Sequence, residues 1–224
     1  DLLLNDEALA NFKGMENVES VHPKLAMAGT LIQGKWSTWV TIYGIDQQEL
    51  DKIEVDEGKV PTANSGKMEL LIGNQIITNF SNEKTGENPY WETGELPDVD
   101  LMEKKIFTKF DSTYETKPDG SQVEIPAKKN IFPVAGIVAG GVEDYNNYSY
   151  NIYTNIDSLK AYLKKTYKGK AIPGQPLGKN NKPLKTLVYE SMTVTVDDAE
   201  NVDTVLTSIQ DLGYQAYSNK EWLD

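Results

Sequence analysis

His22 is the single histidine of the sequence, the one side chain whose ordinary pKa suits proton transfer near neutrality. Pro23 follows it directly, and no G-x-S-x-G elbow supplies a nucleophile, so it reads as a surface histidine at a strand end. The 34 acidic residues offer many carboxylate pairs of the kind a glycosidase uses. Yet Asp98/Asp100, Glu143/Asp144 and Asp197/Asp198 fall at loops or helix starts, where acids cap or are solvated. The absence of cysteine removes thiolate chemistry, iron–sulfur clusters and cysteine-bound zinc. Neither H-E-x-x-H nor an EF-hand spacing occurs, which leaves a surface Ca²⁺ on loop carboxylates as the one open metal arrangement. Gly136-Ile137-Val138-Ala139-Gly140-Gly141 follows a strand as a phosphate loop would. Glu143 and Asp144 then stand where a Lys and a Ser or Thr are needed, and two carboxylates repel a phosphate. We expect no catalytic residue, no metal and no cofactor.

Binding chemistry is better represented. Residues 145–153 hold four tyrosines, Tyr145, Tyr148, Tyr150 and Tyr153, interleaved with asparagines. Tyr and Asn together form adaptable recognition surfaces, and tyrosine rings stack on sugars. The same residues also fit a plain strand with Tyr148, Tyr150 and Ile152 on one half-buried face. Trp36, Trp91, Tyr145, Tyr148 and Tyr150 are therefore the candidate ligand- or partner-binding residues. Lys164, Lys165, Lys168, Lys170, Lys179, Lys182 and Lys185 form a cluster that either faces headgroups or an acidic partner, or is a solvated loop.

These residues need elements to hold them. Residues 5–14 read as a short helix capped by Asn5 or Asp6 and stopped by Gly14, followed by a short strand 17–21 that Pro23 ends. Strands are expected at 25–32 and 38–43 around a turn at Gln33-Gly34-Lys35; Trp39, Thr41 and Tyr43 alternate there with Val40 and Ile42. At the far end come a strand 192–196, a helix capped by Asp197 with Glu200 completing a capping box, Gly213 as its stop, and a strand beginning at 214–217. The middle is mostly short strands (70–73, 106–110, 132–138, 148–154) and turns, with one helix capped by Asp157 that buries Leu159, Tyr162 and Leu163 and ends at Gly169. Lys117-Pro118-Asp119-Gly120 is a turn set by Pro118 and Gly120. Two long polar loops, 79–100 and 168–185, remain.

The balance of the chain narrows its partners. A net charge of −12 and a pI near 4.6 disfavour nucleic acid. With 39% apolar and 25% charged residues over 224 positions, a folded globular chain with a sizeable core is expected. No run approaches the about 18 apolar residues of a membrane span. The longest, near 134–141, reads as a buried strand. The start at Asp1, without Met or signal peptide, leads us to expect an excised piece whose anchors have been removed.

Five segments, at 9–23, 40–46, 69–74, 132–138 and 193–216, stand in an order that resembles the extracellular, periplasmic-core-type domain of MacB/FtsX-family ABC transporter permeases. Leu9…Phe12-x-Gly14-x-x-x-Val18-x-x-Val21-x-Pro23 is similar to that family's opening helix and strand. Val40-Thr41-Ile42-Tyr43-Gly44-Ile45-Asp46 resembles its strand ending in G-[IV]-D, and Glu69-Leu70-Leu71-Ile72-Gly73-Asn74 its hydrophobic strand closed by glycine. Phe132-Pro133-Val134-Ala135-Gly136-Ile137-Val138 resembles a third strand. Thr193-Val194-Thr195-Val196-Asp197-Asp198 through Leu212-Gly213-Tyr214-Gln215-Ala216 resembles the closing strand–helix unit. The resemblance implies an α+β fold: a split βαβ porter-like subdomain formed by both chain ends (1–50 and 187–224) with an inserted, β-rich sabre-like subdomain (51–186). It further implies a non-enzymatic part at the extracellular face of the cell membrane that binds substrate or partner protein and transmits ATP-driven motion, as in efflux. Its partners would be its own transmembrane helices, a cognate ABC ATPase subunit, a second permease copy in a homodimer, and an extracellular accessory protein or peptide substrate. The missing cysteines lean toward a Gram-positive surface. The alternatives are a free-standing cell-surface carbohydrate-binding or adhesion module and, last, a glycan hydrolase.

Overall fold

The computed structural model describes residues 2–63 and 66–219. In chain order the first elements are α1 (Asp6–Lys13), β1 (Val18–Gln33), β2 (Trp36–Ile45), α2 (Gln47–Leu50), β3 (Val55–Gly58) and β4 (Leu70–Ile72). Then come β5 (Ser81–Asn82), α3 (Pro89–Thr93), β6 (Phe107–Phe110), β7 (Thr113–Thr116), β8 (Gln122–Ile125) and β9 (Lys129–Asn130). The chain continues with β10 (Val134–Val138), β11 (Ile152–Asn155), α4 (Ile156–Thr166), β12 (Ser191–Val196) and α5 (Val202–Asp211). The fold class is α+β.

Packing divides the chain into two units, Asp1–Leu25 with Lys185–Asp224, and Ala26–Leu184. The expected division lay after Leu50 and before Leu187. The N-terminal boundary falls at Leu25 because β2 is tied into the inserted unit: it pairs in parallel with β11, Ile42 opposite Ile152 and Tyr43 opposite Tyr153.

In the first unit, Asn5 Oδ1 accepts from the Ala8 amide at 3.1 Å and starts α1. The first part of β1 pairs antiparallel with β12, from Val18 opposite Val196 to Lys24 opposite Ser191. Pro23 does not end the strand as expected. It sits in register with Met192 inside β1, a place a proline can take when its nitrogen is not needed by the ladder. Helices α1 and α5 supply the core with Ala8, Phe12, Val205 and Ile209, against Val21 and the half-buried Val194 and Met192. Tyr214 closes it edge-on to Phe12, with ring centroids 5.0 Å apart.

Two sequence expectations fail at this end. Asp198, not Asp197, is the cap: its Oδ1 accepts from the Glu200 amide at 2.9 Å and starts a single 3₁₀ turn, Ala199–Asn201, ahead of α5. Asp197 instead accepts from Asn201 Nδ2 at 3.0 Å. Residues 214–217 form no strand; Tyr214 and Ala216 pack on the core as irregular chain, and Gln210 Nε2 donates to the Ala216 carbonyl at 2.9 Å.

In the inserted unit the sheet order is β3-β10-β4-β11-β2-β1-β6-β9, with β5 on the edge of β2 and a separate β7–β8 hairpin. The pairs β10–β4 and β11–β2 are parallel, and β1–β6, β10–β3, β11–β4, β2–β5 and β6–β9 are antiparallel. Leu70, Leu71 and Ile72 of β4 are all fully buried, as an apolar run covered on both faces should be. One face buries Ile45, Leu50, Ile53, Leu71, Val138 and Tyr153 together. Each such side chain contributes about 1.5–3 kcal/mol on removal from water. On the other side α4 lies against β2. A Cβ on Gly44 would come within 2.9 Å of Leu159 Cδ2, so glycine there lets the helix approach. Tyr162 of α4 packs on Phe132 and Phe110, with centroids 5.1 and 5.6 Å apart.

Candidate functional site

The tyrosine segment is a loop rather than the expected strand until Ile152, where β11 begins. The cause is the pair of side chains following β4. Asn74 Nδ2 donates to the carbonyls of Gly141 (2.8 Å) and Asp144 (2.7 Å), and Gln75 Nε2 donates to the Val142 carbonyl at 3.0 Å. Asn146 Oδ1 accepts from the Tyr148 amide, and Ser149 Oγ accepts from the Asn146 amide, each at 2.8 Å. Gly73 permits the close approach: a Cβ there would sit 2.3 Å from the Ser149 carbonyl oxygen. Strand alternation of Tyr148 and Tyr150 is thereby broken.

The loop sorts its tyrosines into two groups. Tyr148 turns inward, edge-on to Tyr153 at 5.4 Å, and packs on the core of that face. Burial pushes the Tyr153 hydroxyl up to about 12. Tyr145 and Tyr150 turn outward, 73% and 40% exposed, with rings 6.0 Å apart and tilted by 38°. This is an apolar, hydroxyl-edged plate of the kind that accepts a flat ligand face. The structure thus brings Tyr145 and Tyr150 together and assigns Tyr148 to the core.

Trp36 and Trp91 lie elsewhere. Trp36 opens β2, half-buried, opposite Asn82 of β5, and the Lys35 ammonium stands 5.2 Å from its ring centre. Trp91 lies on α3, capped by Asn88 and ended by Gly94 in the left-handed region (φ 79°). It is 63% exposed, its indole N–H donates to Asn79 Oδ1 at 3.1 Å, and Tyr90 packs on it edge-on. Trp39 was missed as a candidate although it is 64% exposed. The alternation of β2 puts it on one face with Thr41 and Tyr43, which are half-buried, whereas Trp39 stays open.

His22 is buried inside β1, not on the surface as expected, with Ser20 Oγ 2.9 Å from its Nε2. Asp100 Oδ1 accepts from the Met102 and Glu103 amides. The amides of the glycine run, which a phosphate would need, go to the chain's own carboxylates. Gly140 donates to Asp56 Oδ2 at 2.9 Å and Gly141 to Asp144 Oδ2 at 2.8 Å. The lysine segment holds the outer face of α4 and the chain after it, with Lys164, Lys165, Lys168, Lys170, Lys179, Lys182 and Lys185 all exposed. No helix among the described residues is long and apolar enough to cross a membrane.

The fold itself is of a known kind, the α+β fold of the extracellular domains of ABC-type transporters. It is similar to the extracellular domain of the noncanonic ABC-type transporter YknZ from Gram-positive bacteria, at 16% sequence identity. That likeness covers 95% of this chain and 86% of that one, with a TM-score of 0.50. The periplasmic region of MacB from Actinobacillus actinomycetemcomitans aligns at 15% identity over 94% of this chain and 73% of that one, with a TM-score of 0.49. No protein-family model matches the sequence, and no curated protein matches it.

Proposed function

We propose that this chain is the extracellular domain of an ABC transporter permease, held at the outer face of a cell membrane, that performs no chemistry of its own. It binds a peptide substrate or an accessory protein and passes on motion generated by a separate ATPase subunit, in an efflux-type system with a second permease copy. The observation that carries this reading is the fold shared with the YknZ extracellular domain over 95% of the chain. Asp56, Asp100, Asp144 and Asp198 accept from backbone amides and so serve as caps and loop pins.

The test is to tag the natural gene product that carries this segment and locate it. Recovery in the membrane fraction, cleavage within this segment by protease added to intact cells, and co-purification of an ATP-binding subunit are the expected results. A product found wholly in the soluble secreted fraction with no ATPase partner would overturn the reading. It would favour the adhesion module, to which the exposed Tyr145, Tyr150 and Trp91 rings are suited. Polysaccharide affinity electrophoresis lost in Tyr145→Ala would identify that alternative.

A further inference from the structure

The lysines of this chain are unevenly placed. Between Ser158 and Tyr189 stand eight lysines of 22 and none of the 34 acids, so this stretch carries +8 and the rest of the chain −20. No arginine occurs anywhere, so these are mobile point charges rather than forks that grip one carboxylate.

The fold gives the run two platforms. On α4, Ile156, Leu159 and Leu163 are buried, and Lys164 and Lys165 face solvent, with exposed Lys168 just beyond the helix end. Further on, Leu177 and Pro183 bridge a narrow hairpin in which the Gly178 amide donates to the Lys182 carbonyl at 2.8 Å. Its tip is Asn180-Asn181, both left-handed with φ 59° and 57°, the pairing of a type I′ turn. Lys179 and Lys182 flank the tip, and Leu177 beside them is 46% exposed. Exposed leucine among lysines on a tight tip is the pattern of a segment that sits in a bilayer interface, leucine among the acyl chains and ammonium groups among the headgroups.

We propose that the outer face of α4 and the 177–183 hairpin form a docking surface for an anionic lipid bilayer. The argument rests on charge and exposure and does not depend on the transporter reading. An acidic chain held near such a surface orients by this segment, because the remainder is repelled.

The experiment is co-sedimentation of the 224-residue chain with phosphatidylglycerol vesicles and with phosphatidylcholine vesicles, at low salt. Binding to the former and not the latter is expected, with release near 1 M salt, where the screening length falls to about 3 Å. Each lysine lost should weaken partitioning about fivefold, so Lys179→Gln/Lys182→Gln should lower it about 25-fold. Lys164→Gln/Lys165→Gln/Lys168→Gln should act likewise from the helix. Leu177→Ser should lower it about fivefold with an unchanged circular dichroism spectrum. No binding to phosphatidylglycerol, or binding indifferent to both sets of lysine changes, would overturn the proposal. So would full competition by soluble polyglutamate with no effect of Leu177→Ser, which would assign the surface to an acidic protein partner.

Discussion

At the scale of single residues, tyrosine ionisation reports the packing directly. Burial raises Tyr153 and Tyr167 each to about 12, from an ordinary 10.0. The unfolded chain ionises these groups first. Their contribution to stability is therefore complete below about pH 10 and is lost as the pH climbs from about 10 to 12. A tyrosinate absorbance titration should show a main step near 10 and a lagging minority, reduced in Tyr153→Phe. Thermal unfolding should weaken over the same window. Neutral-pH stability should fall by about 1 kcal/mol in that variant, because the Tyr153 hydroxyl donates to the Asn147 carbonyl at 3.4 Å and is also hydrogen-bonded by the Asn151 side chain. A lag unchanged in Tyr153→Phe would mean its ring is wetter than its 6% exposure indicates.

At the scale of elements, α4 shows what a sequence reveals and what it hides. Its existence, its inner face and its end near Gly169 were legible from spacing, since Leu159 and Leu163 are buried as expected. Its cap was not. Asn155 and Asp157 are both good caps, and the choice was made by the end of β11, which delivers Asn155 buried at the helix start. Its Oδ1 accepts from the amides of Asp157 and Ser158, at 2.9 and 3.2 Å, and its Nδ2 donates to Gln47 Oε1 at 3.0 Å. Asn155→Ala should cost about 2 kcal/mol, the upper end for a cap, because the half-buried Gln47 side chain loses its partner too. Asp157→Ala should cost a few tenths, as an acid in a first turn. Urea unfolding curves check both, and equal losses would return the cap to Asp157. The tyrosine loop was hidden for a related reason. Its conformation is imposed by Asn74 and Gln75, some seventy residues earlier, and no local pattern records a side chain reaching across that distance. Trp39 was visible as an alternating aromatic, but whether anything covered it depended on which strands flank β2.

At the scale of the molecule, a chain whose two ends form one unit around an insertion has two separate cores to keep. The unit to which β2 belongs is hidden from any local pattern, because its pairing with β11 is a long-range choice. The cores differ in construction. The first unit rests on a few residues of α1, β1 and α5, with Phe12 at 2% exposure locked against Tyr214. The second buries three consecutive residues of β4 completely and is braced by strands on both sides. Phe12→Ala should remove about 3–5 kcal/mol from the first core. Opening of that unit is then expected at a free energy well below global unfolding, as for any locally weak packing region. Native-state hydrogen exchange should show amides of α1, β12 and α5 losing protection, while those of β4 and β11 keep wild-type rates. Equal loss in all five elements would mean that the chain unfolds as one cooperative body, so that a defect in either core is felt throughout.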